Sequence, residues 1–209
     1  MLPSVFTWLL LPNLPKVPEH FINLAHKLGH PKEDPSSDSL ITDGTIDMEY
    51  KTRIVTKNGK SQVTRCQERI DMGQEWNKWV RENIINDFIE TSLRINTGPE
   101  QSTLHGPHID GEFYRIYYLI DRGGDPETVF YHHPKHPVLF GKGLERGRVW
   151  SNIDDLIEIE RVKFPIGQWL IFNGIILHGI ENVTGPRLNF NISVLPKHFN
   201  FSINNKLKV

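Results

Sequence analysis

Hydrophobic positions along this chain follow two different periods. In "VPEHFINLAHKLGH", Phe21, Ile22, Leu24, Ala25 and Leu28 recur at helical spacing, and Gly29 is a natural stop. In "QEWNKWVRENIINDFIET", Trp76, Trp79, Val80, Ile84, Ile85 and Phe88 line one face, which predicts a second helix along that stretch. Between them, "PKEDPSSDS" is a polar, proline-bearing loop. "MEYKTRIVTKNGKSQVTRCQERI" reads as a hairpin turning at Asn58-Gly59, a pair that tolerates the positive φ of a tight turn. The opening "MLPSVFTWLLLPNLPKVPEH" has a short apolar run cut by prolines and no basic start. It reads as a strand or extended arm rather than a secretion signal.

From about Leu93 the helical period gives way to short β-rich runs: "SLRIN", "FYRIYYLID", "ETVFYHH", "LIEIERVKF", "QWLIFNG", "ILHGIENV" and "RLNFNISVL". Pro- and Gly-rich turns separate them, as in a sandwich or barrel. The expected plan is a single domain over 1–209. Residues 1–92 supply helices and a hairpin as support, 93–196 form the barrel, and 197–209 form a tail. The fold class is α+β, mainly β.

The last run alternates. Arg187, Asn189, Asn191 and Ser193 fall on one side of a strand; Leu188, Phe190, Ile192 and Val194 fall on the other. Two readings stand. Either this is an edge strand with its polar side in water, or the polar side faces a wet barrel interior, with Arg187 pointing at a ligand.

Composition narrows the class. The 209 residues suffice for one core, and 38% hydrophobic with 23% charged residues suits a globular chain. A net charge of −1 gives no sign of a nucleic-acid partner held by bulk charge. No apolar run approaches the roughly 20 residues a membrane helix needs. A lone cysteine, Cys66, excludes an intrachain disulfide and fits a reducing, cytoplasmic setting.

His108-Ile109-Asp110 is the one His-x-Asp or His-x-Glu triplet among ten histidines. Residues two apart on an extended chain point the same way, so both side chains could share one ion. Two His and one carboxylate on one face of an octahedron hold divalent iron in oxygenases and leave positions open for substrate and dioxygen. The third ligand must come from later in the chain. His178 follows an apolar strand, and Arg187 lies nine residues beyond it, across the "TGP" turn.

With these residues in place, the sequence resembles the 2-oxoglutarate- and Fe(II)-dependent oxygenases. The resemblance rests on His108-x-Asp110 with the late His178, on Arg187 at the family's usual offset followed by Asn189, and on "RIYYLID". That last run looks like the prolyl hydroxylase strand that supplies a tyrosine to the co-substrate. It covers roughly Leu93 to Pro196. It implies a double-stranded β-helix, a jelly-roll or cupin-like barrel, buttressed by the N-terminal helices. It implies Fe(II) on His108, Asp110 and His178, 2-oxoglutarate as co-substrate, and ascorbate as an accessory reductant. It further implies a hydroxylase that consumes dioxygen and releases succinate and carbon dioxide. The substrate would be a prolyl residue or another peptide or amino acid. Arg187 would meet the far carboxylate with two parallel hydrogen bonds, with Asn189 beside it. Counting alternate residues from His108 puts Tyr118, rather than Tyr117, toward that carboxylate.

Other candidates have plainer readings. His105 reads as a loop residue, the alternative being a group that orients a metal ligand. His132, His133 and His136 lack the partners of a zinc site and read as a solvated loop by the pocket mouth. Asp125 and Glu127 read as turn residues. Asn173 serves either the pocket or a turn. Trp76, Trp79 and Trp169 read as core, and Cys66 as inert. The competing functional class is a cupin-like barrel that binds metal or anion without catalysis or without 2-oxoglutarate. The intact set of His108, Asp110, His178 and Arg187 argues against the non-catalytic form, and Arg187 argues against the form without 2-oxoglutarate, which has no far carboxylate to meet.

Overall fold

The computed structural model describes residues 6–29, 52–57, 60–65, 68–96, 104–110, 114–132, 134 and 153–197. The Asn58-Gly59 turn, Cys66, His133, His136 and most of the 197–209 tail lie outside them. In chain order the elements are β1 (Trp8–Leu10), α1 (Glu19–Gly29), β2 (Thr52–Lys57), β3 (Lys60–Arg65), β4 (Glu68–Ile70) and α2 (Gly73–Asn83). There follow β5 (Glu90–Asn96), β6 (Leu104–His108), β7 (Tyr114–Asp121), β8 (Gly124–His132), β9 (Ile157–Val162), β10 (Trp169–Asn173), β11 (Leu177–Val183) and β12 (Arg187–Val194). No helix among the described residues is long and apolar enough to cross a membrane.

Strands β5 to β12 divide between two antiparallel sheets. The larger has the order β1-β10-β7-β12-β5-β4, and the smaller β6-β11-β8-β9. Successive strands of the barrel thus alternate between sheets except at β8 and β9, which pair with each other in the smaller one, and this is the winding of a double-stranded β-helix. The N-terminal part does more than buttress: β1 and β4 extend the larger sheet at its two edges. Strand β12 is no edge strand. It pairs with β5 on one side and β7 on the other, and all eight of its residues are buried.

One face of the larger sheet is apolar and carries the helices. Leu188, Phe190, Ile192 and Val194 of β12 join Ile116, Tyr118 and Ile120 of β7, and Phe21, Ala25, Trp76 and Val80 of the helices, in one core. Trp76 stacks on Phe190 at 4.2 Å between ring centroids, and its Nε1–H donates to Thr91 Oγ1 at 2.7 Å. A buried indole thereby keeps its one donor satisfied. Helix α2 is shorter than its apolar stripe. It ends at Asn83, where Ile84 caps the helix, and Asn83 Nδ2 donates to the Trp79 carbonyl. Ile84 and Ile85 are buried nonetheless, in the segment that leads into β5. The opposite face of the same sheet looks at the smaller sheet, and the site lies between them.

Candidate metal centre

His108 closes β6 and His178 lies early in β11, and the two are direct register partners across the smaller sheet. Their ring centroids are 4.6 Å apart. Asp110 follows β6, with its backbone N–H bonded to the Gly174 carbonyl, so the ligand loop is tied to the β10–β11 connection. One Asp110 oxygen lies 3.6 Å from His108 Nε2 and the other 3.6 Å from His178 Nε2. One donor atom from each residue fits within 4.8 Å of the others. His178 Nδ1 lies 2.8 Å from the Ile176 carbonyl. A carbonyl only accepts, so Nδ1 carries the proton and Nε2 keeps its lone pair for a metal.

Asp110 is also gripped from behind. Arg115 Nε donates to its Oδ2 at 2.7 Å. Burial alone would raise the Asp110 carboxyl, but Arg115, with His178 and His108, outweighs it and holds the group well below the usual carboxylate range. The sequence reading missed Arg115, although an arginine five residues past the ligand was there to be noticed.

The cavity around this trio has about 490 Å³ of atom-free space, part of it open to solvent. Arg187, Asn189 and Asn191 of β12, Thr128 of β8 and Tyr117 of β7 line it, with Phe164 and Phe172 as apolar walls. Arg187 is 3% exposed. Its Nε, the Tyr117 hydroxyl, Thr128 Oγ1, Asn189 Oδ1 and Asn191 Oδ1 are all buried without a hydrogen-bond partner. Orphaned polar atoms at this density around one cavity are uncommon in folded proteins and ask for a polar ligand. A dicarboxylate fits them: a guanidinium for charge, hydroxyls as further donors, and an apolar wall for its methylenes. The donor set of two imidazoles and one carboxylate fits a divalent iron.

Tyr118 needs correcting. Its ring packs on Trp169 at 4.9 Å in the helix-side core, while Tyr117 lines the cavity beneath the Arg187 guanidinium. The alternation counted from His108 does not survive the link to β7. Asp110 and Arg115 both face the cavity although five residues apart, an odd separation that an unbroken two-residue alternation forbids. From Arg115 onward Arg115, Tyr117 and Leu119 face inward, while Ile116, Tyr118 and Ile120 join the helix-side core.

Other expectations divide. His105 sits in β6 rather than a loop, opposite Ile180 of β11. Asp125 and Glu127 lie within β8 instead of a turn and pair with Lys163 and Arg161 of the neighbouring edge. Asn173 takes its turn role: Oδ1 accepts from the Ile175 N–H at 3.1 Å. Trp76 and Trp169 are core, and Trp79 packs against it. His132 ends β8 and belongs to neither the trio nor the cavity lining.

No protein-family model matches the chain, and no curated protein does. Solved structures do. The epimerase SnoN, in complex with Fe3+, alpha ketoglutarate and nogalamycin RO, aligns over 93% of this chain and 84% of its own at 12% identity, with a TM-score of 0.50. AviO1 from Streptomyces viridochromogenes Tue57 aligns over 92% and 91% at 12% identity and a TM-score of 0.45. The Escherichia coli protein ycfD aligns over 93% of this chain at 12% identity and a TM-score of 0.44, and the chain spans about half its length, 52%. The strand order found here and the alignment to SnoN agree on the fold: a double-stranded β-helix, a jelly-roll or cupin-like barrel.

Proposed function

We propose that the protein is a 2-oxoglutarate- and Fe(II)-dependent oxygenase. The observation that carries this is one cavity holding both halves of the chemistry. At one end is a His-Asp-His trio, with His178 buried and His108 and Asp110 partly so; lining the cavity is Arg187 with an orphaned Nε, among four other unpartnered polar atoms. His108, Asp110 and His178 would hold the iron. Arg187, helped by Tyr117 and Thr128, would hold the far carboxylate of 2-oxoglutarate, because a guanidinium meets a carboxylate in fixed geometry. Asn189 and Asn191 would offer amide groups along the same wall. Bound iron and co-substrate supply the oxidising power for an oxygen-dependent oxidation.

The chain's own part is threefold. The Ile176 carbonyl fixes the His178 tautomer, Phe164 and Phe172 keep water from one wall, and Arg187 orients the co-substrate. The reaction we assign is hydroxylation of an unactivated C–H bond, with release of succinate and carbon dioxide. A prolyl residue or another peptide or amino acid is the substrate class, on the strength of the "RIYYLID" resemblance. The test is spectroscopic. Anaerobic Fe(II) plus 2-oxoglutarate should give a weak visible charge-transfer band that His178→Ala abolishes without unfolding the protein. A folded parent protein that shows no band, and makes no succinate across a panel of peptides and amino acids, would sink the assignment.

A further inference from the structure

Arg115 is 5% exposed and touches both the trio and the frame of the barrel. Its Nη1 donates to Glu90 Oε1 at 3.3 Å and to Ser193 Oγ. Ser193 Oγ donates in turn to Glu90 Oε1 at 3.1 Å, and Arg94 Nη2 does so at 3.2 Å. Glu90, Ser193 and Arg115 stand side by side on β5, β12 and β7, as direct register partners across three adjacent strands. The row belongs to the larger sheet. Asp110 follows a strand of the smaller one.

We propose that Arg115 is a positioning residue for the metal: it braces the Asp110 carboxylate across the gap between the sheets and holds it turned toward the two histidines. The inference rests on the metal-centre reading above. Arg115 Nε donates to Asp110 Oδ2 at 2.7 Å, and in that orientation Oδ1 faces His108 Nε2 and Oδ2 faces His178 Nε2, each at 3.6 Å. The two histidines are held by one sheet through their shared register. Asp110 sits past the end of β6, where strand pairing no longer fixes its side chain. The guanidinium supplies what the sheet does not. Its own direction is fixed at the far end by Glu90 and Ser193, so Asp110 is held by a group that cannot itself swing. The planar fork matters, because Nε and Nη1 must point at two carboxylates at once.

Outer partners of metal ligands change metal affinity by roughly 10- to 100-fold when removed, and that is the effect to read. Metal alone is the probe: Mn(II) titration for affinity and the Co(II) visible spectrum for coordination, on the full chain with folding checked by circular dichroism. Arg115→Gln should weaken Mn(II) binding by about 100-fold. Arg115→Lys keeps the charge but not the fork and should restore part of that loss. Glu90→Gln leaves Arg115 facing Asp110 but loosens its anchor, and should weaken Mn(II) by about tenfold. The Co(II) spectrum should change in each, since an unbraced Asp110 carboxylate would no longer be held in one orientation beside the two histidines. Should Arg115→Gln not fold, the other two variants decide. Folded Arg115→Lys and Glu90→Gln proteins with parental Mn(II) affinity and Co(II) spectrum would overturn the inference while leaving the metal centre standing. A parent protein that takes up neither metal overturns the metal centre itself, and the brace with it.

Discussion

The Arg187 guanidinium lies over the face of Tyr117, its Cζ 5.5 Å from the ring centroid, while its Nε has no hydrogen-bond partner. Burial pushes the Arg187 pKa down, and Tyr117 opposes that. A ring face is a weak partner for a desolvated cation beside a carboxylate, which would give charge and two acceptors. The ligand-free protein therefore keeps a group that costs stability and is oriented for something else.

Arg187→Met separates these two effects. A methionine of similar length removes the buried charge, so the ligand-free protein should hold or raise its thermal midpoint. The same change should weaken 2-oxoglutarate by about 2–5 kcal/mol, the usual cost of losing one partner of a buried charge pair. Calorimetric melting without ligand, and titration of the Fe(II) charge-transfer band with 2-oxoglutarate, check the two halves. A variant that melts lower and binds 2-oxoglutarate normally would make Arg187 a structural residue.

Adjacent tyrosines should behave differently. Tyr117→Phe removes an unpartnered hydroxyl from the cavity wall and should cost about 1 kcal/mol of 2-oxoglutarate binding, one ordinary hydrogen bond. Tyr118→Phe changes a group in the helix-side core and should leave that affinity alone. The apparent KM for 2-oxoglutarate in succinate release distinguishes them. The reverse pattern would restore the sequence-based assignment.

Packing behind the site should control stability more than chemistry. Trp76 is fully buried, stacked on Phe190 and bonded to Thr91. Trp76→Ala should destabilise by about 3–5 kcal/mol through the cavity it leaves. Trp76→Phe should cost less, partly by stranding the Thr91 hydroxyl. Phe190 and Asn189 are neighbours on opposite faces of β12, so the Phe variant should retain metal binding. Urea unfolding and Mn(II) titration on the same samples test both.

The convergence of His108, Asp110 and His178, the inward face of Arg187 and the fold class were legible because each follows from local pattern or spacing. Alternation along β12 put Leu188, Phe190, Ile192 and Val194 on the helix side and Arg187, Asn189 and Asn191 in the cavity, and the structure keeps both sets. What stayed hidden depends on registers between distant segments. The Glu90–Ser193–Arg115 row exists only once β5, β12 and β7 are adjacent, and no spacing along the chain announces it. Tyr117 was misplaced for a related reason. Parity is reliable inside a strand and is lost at a connection, and the count ran through 111–113. Arg115 itself could have corrected it, since an inward arginine there forces Tyr117 inward too.

Tyr117 also gives the protein an alkaline signature. Burial pushes its phenol up to about 12, with Arg187 pulling the other way. In the unfolded chain the phenol titrates near the ordinary value of about 10. Below that pH both states keep the proton and the residue adds no pH dependence. Between the two values the unfolded chain releases a proton that the folded protein retains, so stability falls as pH rises through that window. The loss from this one group approaches roughly 2–3 kcal/mol once pH passes the folded value. Other buried tyrosines contribute too, so the test is a difference. Unfolding free energies of the parent and Tyr117→Phe proteins, measured against pH, should run parallel at neutral pH. They should diverge on the alkaline side, the parent falling faster. Parallel curves throughout would mean that the Tyr117 hydroxyl is wetted in the folded protein rather than held dry beside Arg187.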